Sequence, residues 1–256
     1  MANTDAASLF DSGFQDEIPP DCNSTKSPAI TPIPQLNTQP LDSRPFNIAE
    51  KFRGMSNAEI IDAIKPRMLP FAVMAVNITM CLNISNMIRT ANLTGASKFI
   101  LFGRRKYDAR GCVGAQNYTP IEKVPAIPDT SIINFEEITT AETDDMLDAR
   151  VFIDYIIDNN YLPVFMEQDR YSRPATNTNI RDLIIRARAL ARTPLLIFGS
   201  EGFGIPRNIL DTRTNGDIDL SYTLELKQRG CIRSFNVANC CSIMCYKMME
   251  VFDELC

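Results

Sequence analysis

Apolar residues recur along this chain in two rhythms that alternate. Short, nearly unbroken apolar runs occur at Phe71–Ile78, Lys98–Phe102, Tyr161–Met166 and Leu195–Phe198. They are too short for buried helices and read as strands covered on both faces. Between them the apolar positions fall at helical spacing. Asn83–Gly95 places Ile84, Met87, Ile88, Ala91 and Leu93 mostly on one side. Met146–Asp158, Asn179–Arg192 and Phe235–Phe252 follow the same period. Shorter strands are expected at Ile132–Phe135 and within Asp217–Leu226.

Punctuation residues set the ends. Ser56 with Glu59 forms a capping box ahead of a helix over Asn57–Lys65, which Pro66 and Pro70 terminate. Gly95 closes the helix that contains Asn83. Residues 110–130, with Gly111, Gly114 and several prolines, read as irregular. Residues 1–45 are rich in Pro, Ser, Thr, Asn and Asp and lack apolar periodicity, so they read as a disordered tail. The remainder, 46–256, reads as one α/β domain, a mainly parallel sheet with helices on both faces.

Composition narrows the chemistry. The 256 residues contain no His. Ser-His-Asp and Cys-His catalysis, His-ligated metal and a His general base are therefore excluded. The eight Cys include no C-x-x-C pair, and Cys240, Cys241 and Cys245 read as small buried residues of an apolar helix. No metal site is expected. No signal-like segment opens the sequence and no apolar run approaches the roughly 20 residues of a membrane span. An intracellular, cytoplasmic protein with reduced thiols is expected. A formal net charge of −5 argues against a strongly basic, non-specific nucleic-acid binder but leaves room for a local basic patch.

Three distant stretches carry candidate chemistry. Gly199-Ser200-Glu201-Gly202-Phe203-Gly204 follows a short strand, where ligands sit in α/β sheets, and its glycines let backbone approach a ligand. It is neither G-x-G-x-x-G nor a phosphate loop with Gly-Lys-Ser/Thr. Asn83, Asn86 and Arg89 follow one another at i, i+3 and read as one helix face, with the Arg89 fork suited to phosphate or ribose. Ser234 reads as the N-cap of the last helix. Asn236, two residues on, calls for a partner for its amide. After the second strand, Arg104, Arg105, Lys106 and Arg110 form a local basic run.

Together these stretches resemble the three motifs of the SpoU–TrmH branch of the SPOUT RNA methyltransferases. Asn83 and Arg89-Thr90-Ala91 match the first motif, with Ser85 or Asn86 where a Gly is common. Gly199–Gly204 matches the second motif letter for letter. Leu226–Val237 aligns with the third without gaps, departing at Lys227-Gln228 where the family has Pro-Met. The resemblance covers roughly residues 70–253.

It implies a C-terminal deep trefoil knot that cradles S-adenosylmethionine, and a homodimer with the first-motif and last helices at its interface. It also implies methylation of a ribose 2′-hydroxyl in tRNA or rRNA. Carried onto this chain, it makes Arg89, Glu201 and Asn236 catalytic, with Glu201 and Asn236 holding Arg89. Cofactor contacts fall to Gly199, Gly204, Leu226, Ser234 and Asn236. Substrate contacts fall to Asn83, Arg89, Arg104, Arg105, Lys106 and Arg110. The alternative from another class is a catalytically inactive RNA-binding or scaffold protein on the same knotted fold.

Overall fold

The computed structural model describes residues 47–103, 106–126 and 147–256. The expected tail, the expected strand at 132–135 and the pair Arg104-Arg105 lie outside them. Seven strands form one sheet among the described residues: β1 Leu69–Val76, β2 Ala96–Phe102, β3 Ile121–Val124, β4 Tyr161–Met166, β5 Arg173–Pro174, β6 Thr193–Phe198 and β7 Tyr222–Glu225. Their order is β3-β2-β1-β6-β4-β7-β5, and every pairing is parallel. All six residues of β4 are buried, as a strand covered on both faces requires.

The helices are α1 Asn57–Ile64, α2 Cys81–Leu93, α3 Ala109–Cys112, α4 Ala149–Asp158, α5 Asn177–Ala189, α6 Arg207–Asp211 and α7 Val237–Glu254. Alternate residues of β1 face opposite ways. Phe71, Val73 and Ala75 join a core with α2, α5 and α7, through Met87, Leu183 and Met248 among others. Ala72, Met74 and Val76 join a second core with α4 and α6, through Phe152, Ile156 and Ile209. Rings anchor both layers. Phe71 stacks on Phe252 at 6.0 Å, and Phe152 meets Phe102 edge-on at 5.7 Å and Phe165 at 6.1 Å.

Local chemistry explains most boundaries. Ser56 Oγ accepts the Glu59 N–H, and Glu59 Oε2 accepts the Ser56 N–H, so the capping box is complete. Gly95 lies at φ +72°, and a Cβ there would stand 2.9 Å from the Arg67 carbonyl oxygen. Residues 110–130 differ from expectation. Their described part holds α3, a 3-10 turn at Ala115–Asn117 and the edge strand β3. Four residues give no measurable alternation. Instead β3 is fixed by its neighbour, Phe99 against Ile121, and by a 2.7 Å ion pair from Lys98 to Glu122. The two-residue β5 escaped the sequence for the same reason.

A partly buried ion pair ties the sheet's far side together. Arg213, preceding β7, donates to Asp169 Oδ2 and Thr223 Oγ1, both at 2.8 Å. Its guanidinium also lies 5.5 Å from the Phe165 ring and 5.3 Å from that of Tyr171. Burial opposes the Asp169 charge, yet the Arg213 pair and neighbouring donors hold its pKa below the ordinary value.

Phe152 is fully buried between two other rings. Phe152→Ala is expected to lower unfolding free energy by about 3–5 kcal/mol in denaturant titrations. A loss under about 1 kcal/mol would show that the α4 layer is not part of the cooperative core.

Candidate active site

Because every strand runs the same way, their carboxyl ends share one edge of the sheet, and the loops that leave them meet there. The loop after β6 is closed by its own backbone. Ser200 N–H donates to Gly204 O at 2.8 Å and Gly204 N–H returns to Ser200 O at 2.9 Å. A Cβ on Gly199 would fall 2.0 Å from the Gly204 carbonyl carbon. Gly204 sits at φ +73°, and a Cβ there would meet Glu167 Oε2 at 2.6 Å. These two glycines are required by the loop's self-contact and by Glu167, whereas Gly202 has open space around it. Glu167 Oε2 also accepts the Ile205 N–H at 3.2 Å, fastening the loop to the end of β4.

One carboxylate joins the three sequence motifs. Glu201 accepts from the N–H groups of Thr79 and Met80 at 2.9 and 3.1 Å, and from Asn83 Nδ2 at 2.6 Å. Met80 is the N-cap of α2, so Glu201 supplies an anion to that helix's N-terminus from another part of the chain. Asn83 Oδ1 in turn accepts from Asn236 Nδ2 at 3.2 Å. Asn236 Oδ1 accepts from Ala238 and Asn239 N–H at 2.9 and 3.3 Å, capping α7. Thr90 and Ser242 close the α2–α7 contact at 2.9 Å. Burial works against the Glu201 charge, and the bonds from Asn83, Thr79 and Met80 outweigh it, holding the carboxyl below its usual 4.5.

Beside this network lies a cavity of about 450 Å³, the size of a small-ligand site. Met166, Phe198, Leu224, Leu226 and Val237 give it apolar walls. Glu167, Glu201, Arg233, Ser234 and Asn236 add polar groups. Cys240 also reaches it, its thiol pKa pushed up to about 12 by burial, so it stays protonated and is no nucleophile.

The expected cofactor residues Gly199, Gly204, Leu226, Ser234 and Asn236 all line this cavity, as does Glu201. Asn83 sits behind it, buried. Three expectations are corrected. Arg89 is exposed, does not line the cavity, and is held by neither Glu201 nor Asn236, whose side chains bond to Asn83 and to helix ends. Asn83 and Arg89 do not share a helix face: six residues at about 100° each leave them roughly 120° apart. Ser234 does not cap α7. Asn236 does, and that position explains why an Asn stands there. Of the basic run, Lys106 is exposed, and Arg110 is tied to Asp108 at 2.7 Å. The 108–112 segment packs on α2, with Ser85 Oγ 2.6 Å from the Asp108 carbonyl oxygen.

Glu167, Arg233 and Cys240 escaped the sequence reading. The signal for Glu167 was present: it is the first polar residue after a fully buried strand, at the edge where ligands gather.

Removing the Glu201 charge gives a pH test. A carboxyl held below its ordinary pKa contributes stability above that value and loses it as pH falls through the lower folded value. The stability gap between the wild type and Glu201→Gln is therefore expected to be widest near neutrality and to shrink between about pH 5 and pH 3. A gap independent of pH, measured by urea titration, would contradict the charge assignment.

The sequence matches the model of the SpoU rRNA methylase family over residues 70–246. No curated protein matches it significantly. Among solved structures, the fold is similar to the TrmH/SpoU tRNA modifying enzyme of A. aeolicus. The TM-score is 0.54 at 14% identity, over 78% of this chain and 85% of that one. The SpoU methyltransferase AviRb of Streptomyces viridochromogenes, in complex with AdoMet, gives 0.45 at 20% identity over 72% and 57%. An AdoMet-bound rRNA methyltransferase from Sinorhizobium meliloti gives 0.48 at 19% over 70% and 55%. The first of these supports the α/β fold. The matched span takes in all three motifs and the hydrogen bonds that join them, and the chain belongs to the SpoU rRNA methylase family.

Proposed function

We propose that this chain transfers a methyl group from S-adenosylmethionine to a ribose 2′-hydroxyl of tRNA or rRNA, as a knotted homodimer. Family membership supports the coarser part, S-adenosylmethionine-dependent methylation of RNA. The observation that carries the reading is the cavity, which the second and third motifs build together at the carboxyl edge of the sheet.

The residues present fit that cofactor. Backbone at Gly199, Leu226 and Ser234 would take the adenosine, against the apolar walls. Glu167 and Glu225 also line the cavity and suit a ligand with cationic groups. The bound cofactor supplies a sulfonium methyl that is already activated, so the protein contributes position and charge. A guanidinium stays protonated, so Arg89 would orient the hydroxyl and stabilise charge developing on its oxygen.

Arg89 is exposed on α2 and away from its own chain's cavity, which supports the dimer. A two-fold pair with α2 and α7 at the interface would carry Arg89 toward the partner's site. Exposed Tyr246 on α7 and Leu93 at the end of α2 are apolar surface for such a contact. Lys106 and Arg110, with Arg104 and Arg105, would meet RNA phosphates. The free cysteines suit a reducing intracellular compartment, and the cytoplasm is proposed. Among the described residues, no helix is long and apolar enough to cross a membrane.

Incubation with methyl-labelled S-adenosylmethionine and total RNA, followed by alkaline hydrolysis, tests the reading. A methylated 2′-oxygen cannot attack its own phosphodiester, so label is expected in alkali-resistant dinucleotides. Label confined to mononucleotides would mean base methylation and overturn the ribose assignment. Binding without any transfer would favour the scaffold alternative. In the same assay Arg89→Ala is expected to slow transfer by roughly 100-fold or more, about 2.7 kcal/mol, with cofactor affinity nearly unchanged. Arg89→Lys should not restore the rate, because a point charge lacks the planar fork.

A further inference from the structure

The departure of the third motif from its family pattern has a counterpart on the surface. Between β7 and α7 the chain runs Lys227-Gln228-Arg229-Gly230-Cys231-Ile232-Arg233-Ser234-Phe235. Lys227, Arg229 and Arg233 are all exposed, and among the described residues none of them makes an ion pair or hydrogen bond. Arg181, Arg192, Arg207 and Arg213 are each paired with an acid, whereas Arg89 and Lys106, like these three, are exposed without an acid partner among the described residues. A chain with a formal charge of −5 thus leaves three unpaired cations on one short loop. Two large apolar side chains stand among them, Ile232 at 74% and Phe235 at 43% exposure. Arg233 and Phe235 also line the cavity, so the patch runs onto its wall.

Resting on the function proposed above, we infer that the loop 227–235 is an RNA-gripping surface beside the cofactor cavity, and that its ligand is an unpaired stretch of RNA. Unpaired cations along a loop suit successive phosphates, because each contact releases condensed counterions. Phe235 offers a face on which a splayed base can stack, which a base locked in a duplex cannot use. The position matters as much as the chemistry. A nucleotide held on Arg233 and Phe235 already lies at the cavity where methyl transfer would occur, so the grip and the reaction share one approach. Lys227, standing where the family has Pro, adds a phosphate contact in place of an apolar one.

Lys227→Gln combined with Arg229→Gln tests this, since neither residue lines the cavity. Binding of a fluorescently labelled, unstructured RNA of mixed sequence is followed by anisotropy from low to moderate salt. For a single strand each lost phosphate contact should flatten the plot of log K against log salt by roughly 0.7, so by roughly 1.4 in the double variant. S-adenosylmethionine affinity and melting temperature should stay at wild-type values. Phe235→Ala should weaken RNA binding with the salt slope unchanged, since it removes stacking and no charge. An unaltered slope in the double variant overturns the inference. So does a change in sedimentation with intact RNA binding, which would make the loop a contact between copies of the chain. A wild type that grips RNA through this loop but transfers no methyl group would overturn the function and leave the loop assignment standing.

Discussion

The joining of the three motifs at the carboxyl edge of this sheet depends on the Glu201 carboxylate. It neutralises the exposed N–H groups at the start of α2, and it fixes Asn83, which fixes Asn236, which caps α7. Four backbone donors and three side chains are satisfied in one chain of contacts. Changing one member alone is costly, because a partly satisfied polar network leaves a desolvated group without a partner. The three motifs are therefore one structural unit, although more than a hundred residues separate Asn83 from Glu201.

The sheet makes that unit possible. Parallel pairing sends the loops after β1, β4, β6 and β7 to one edge, and the two cores hold the strands in register from both sides. Within the loop after β6, glycine serves packing before it serves a ligand. Gly199 and Gly204 abut each other and Glu167, and that self-closure presents Glu201 toward α2 and the cavity wall toward β7. The cavity is what remains between elements whose own contacts are complete.

Much of this was legible in the residues. Buried strands such as β4 announce themselves by unbroken apolar character, and the Ser56 capping box by its spacing. Edge elements did not, since β3 and β5 depend on neighbours rather than on their own pattern. At the site, the motif letters located the cavity residues but not their partners. Asn236 was expected inside the helix and proves to cap it. Glu201 was expected to hold Arg89 and instead holds Asn83 and a helix N-terminus. Hydrogen-bond partners a hundred residues apart leave no periodic signal, and the 120° between Asn83 and Arg89 shows only when helical angles are added up.

This interlocked edge is proposed as the cofactor site. Hydrogen exchange with and without S-adenosylhomocysteine, read by mass spectrometry, tests it most directly. Slowed exchange is expected at residues 166–168, 198–205 and 224–240, which border the cavity, and at the N-terminal turn of α2 through Glu201. Protection elsewhere in the sheet, or none at saturating ligand, would contradict it.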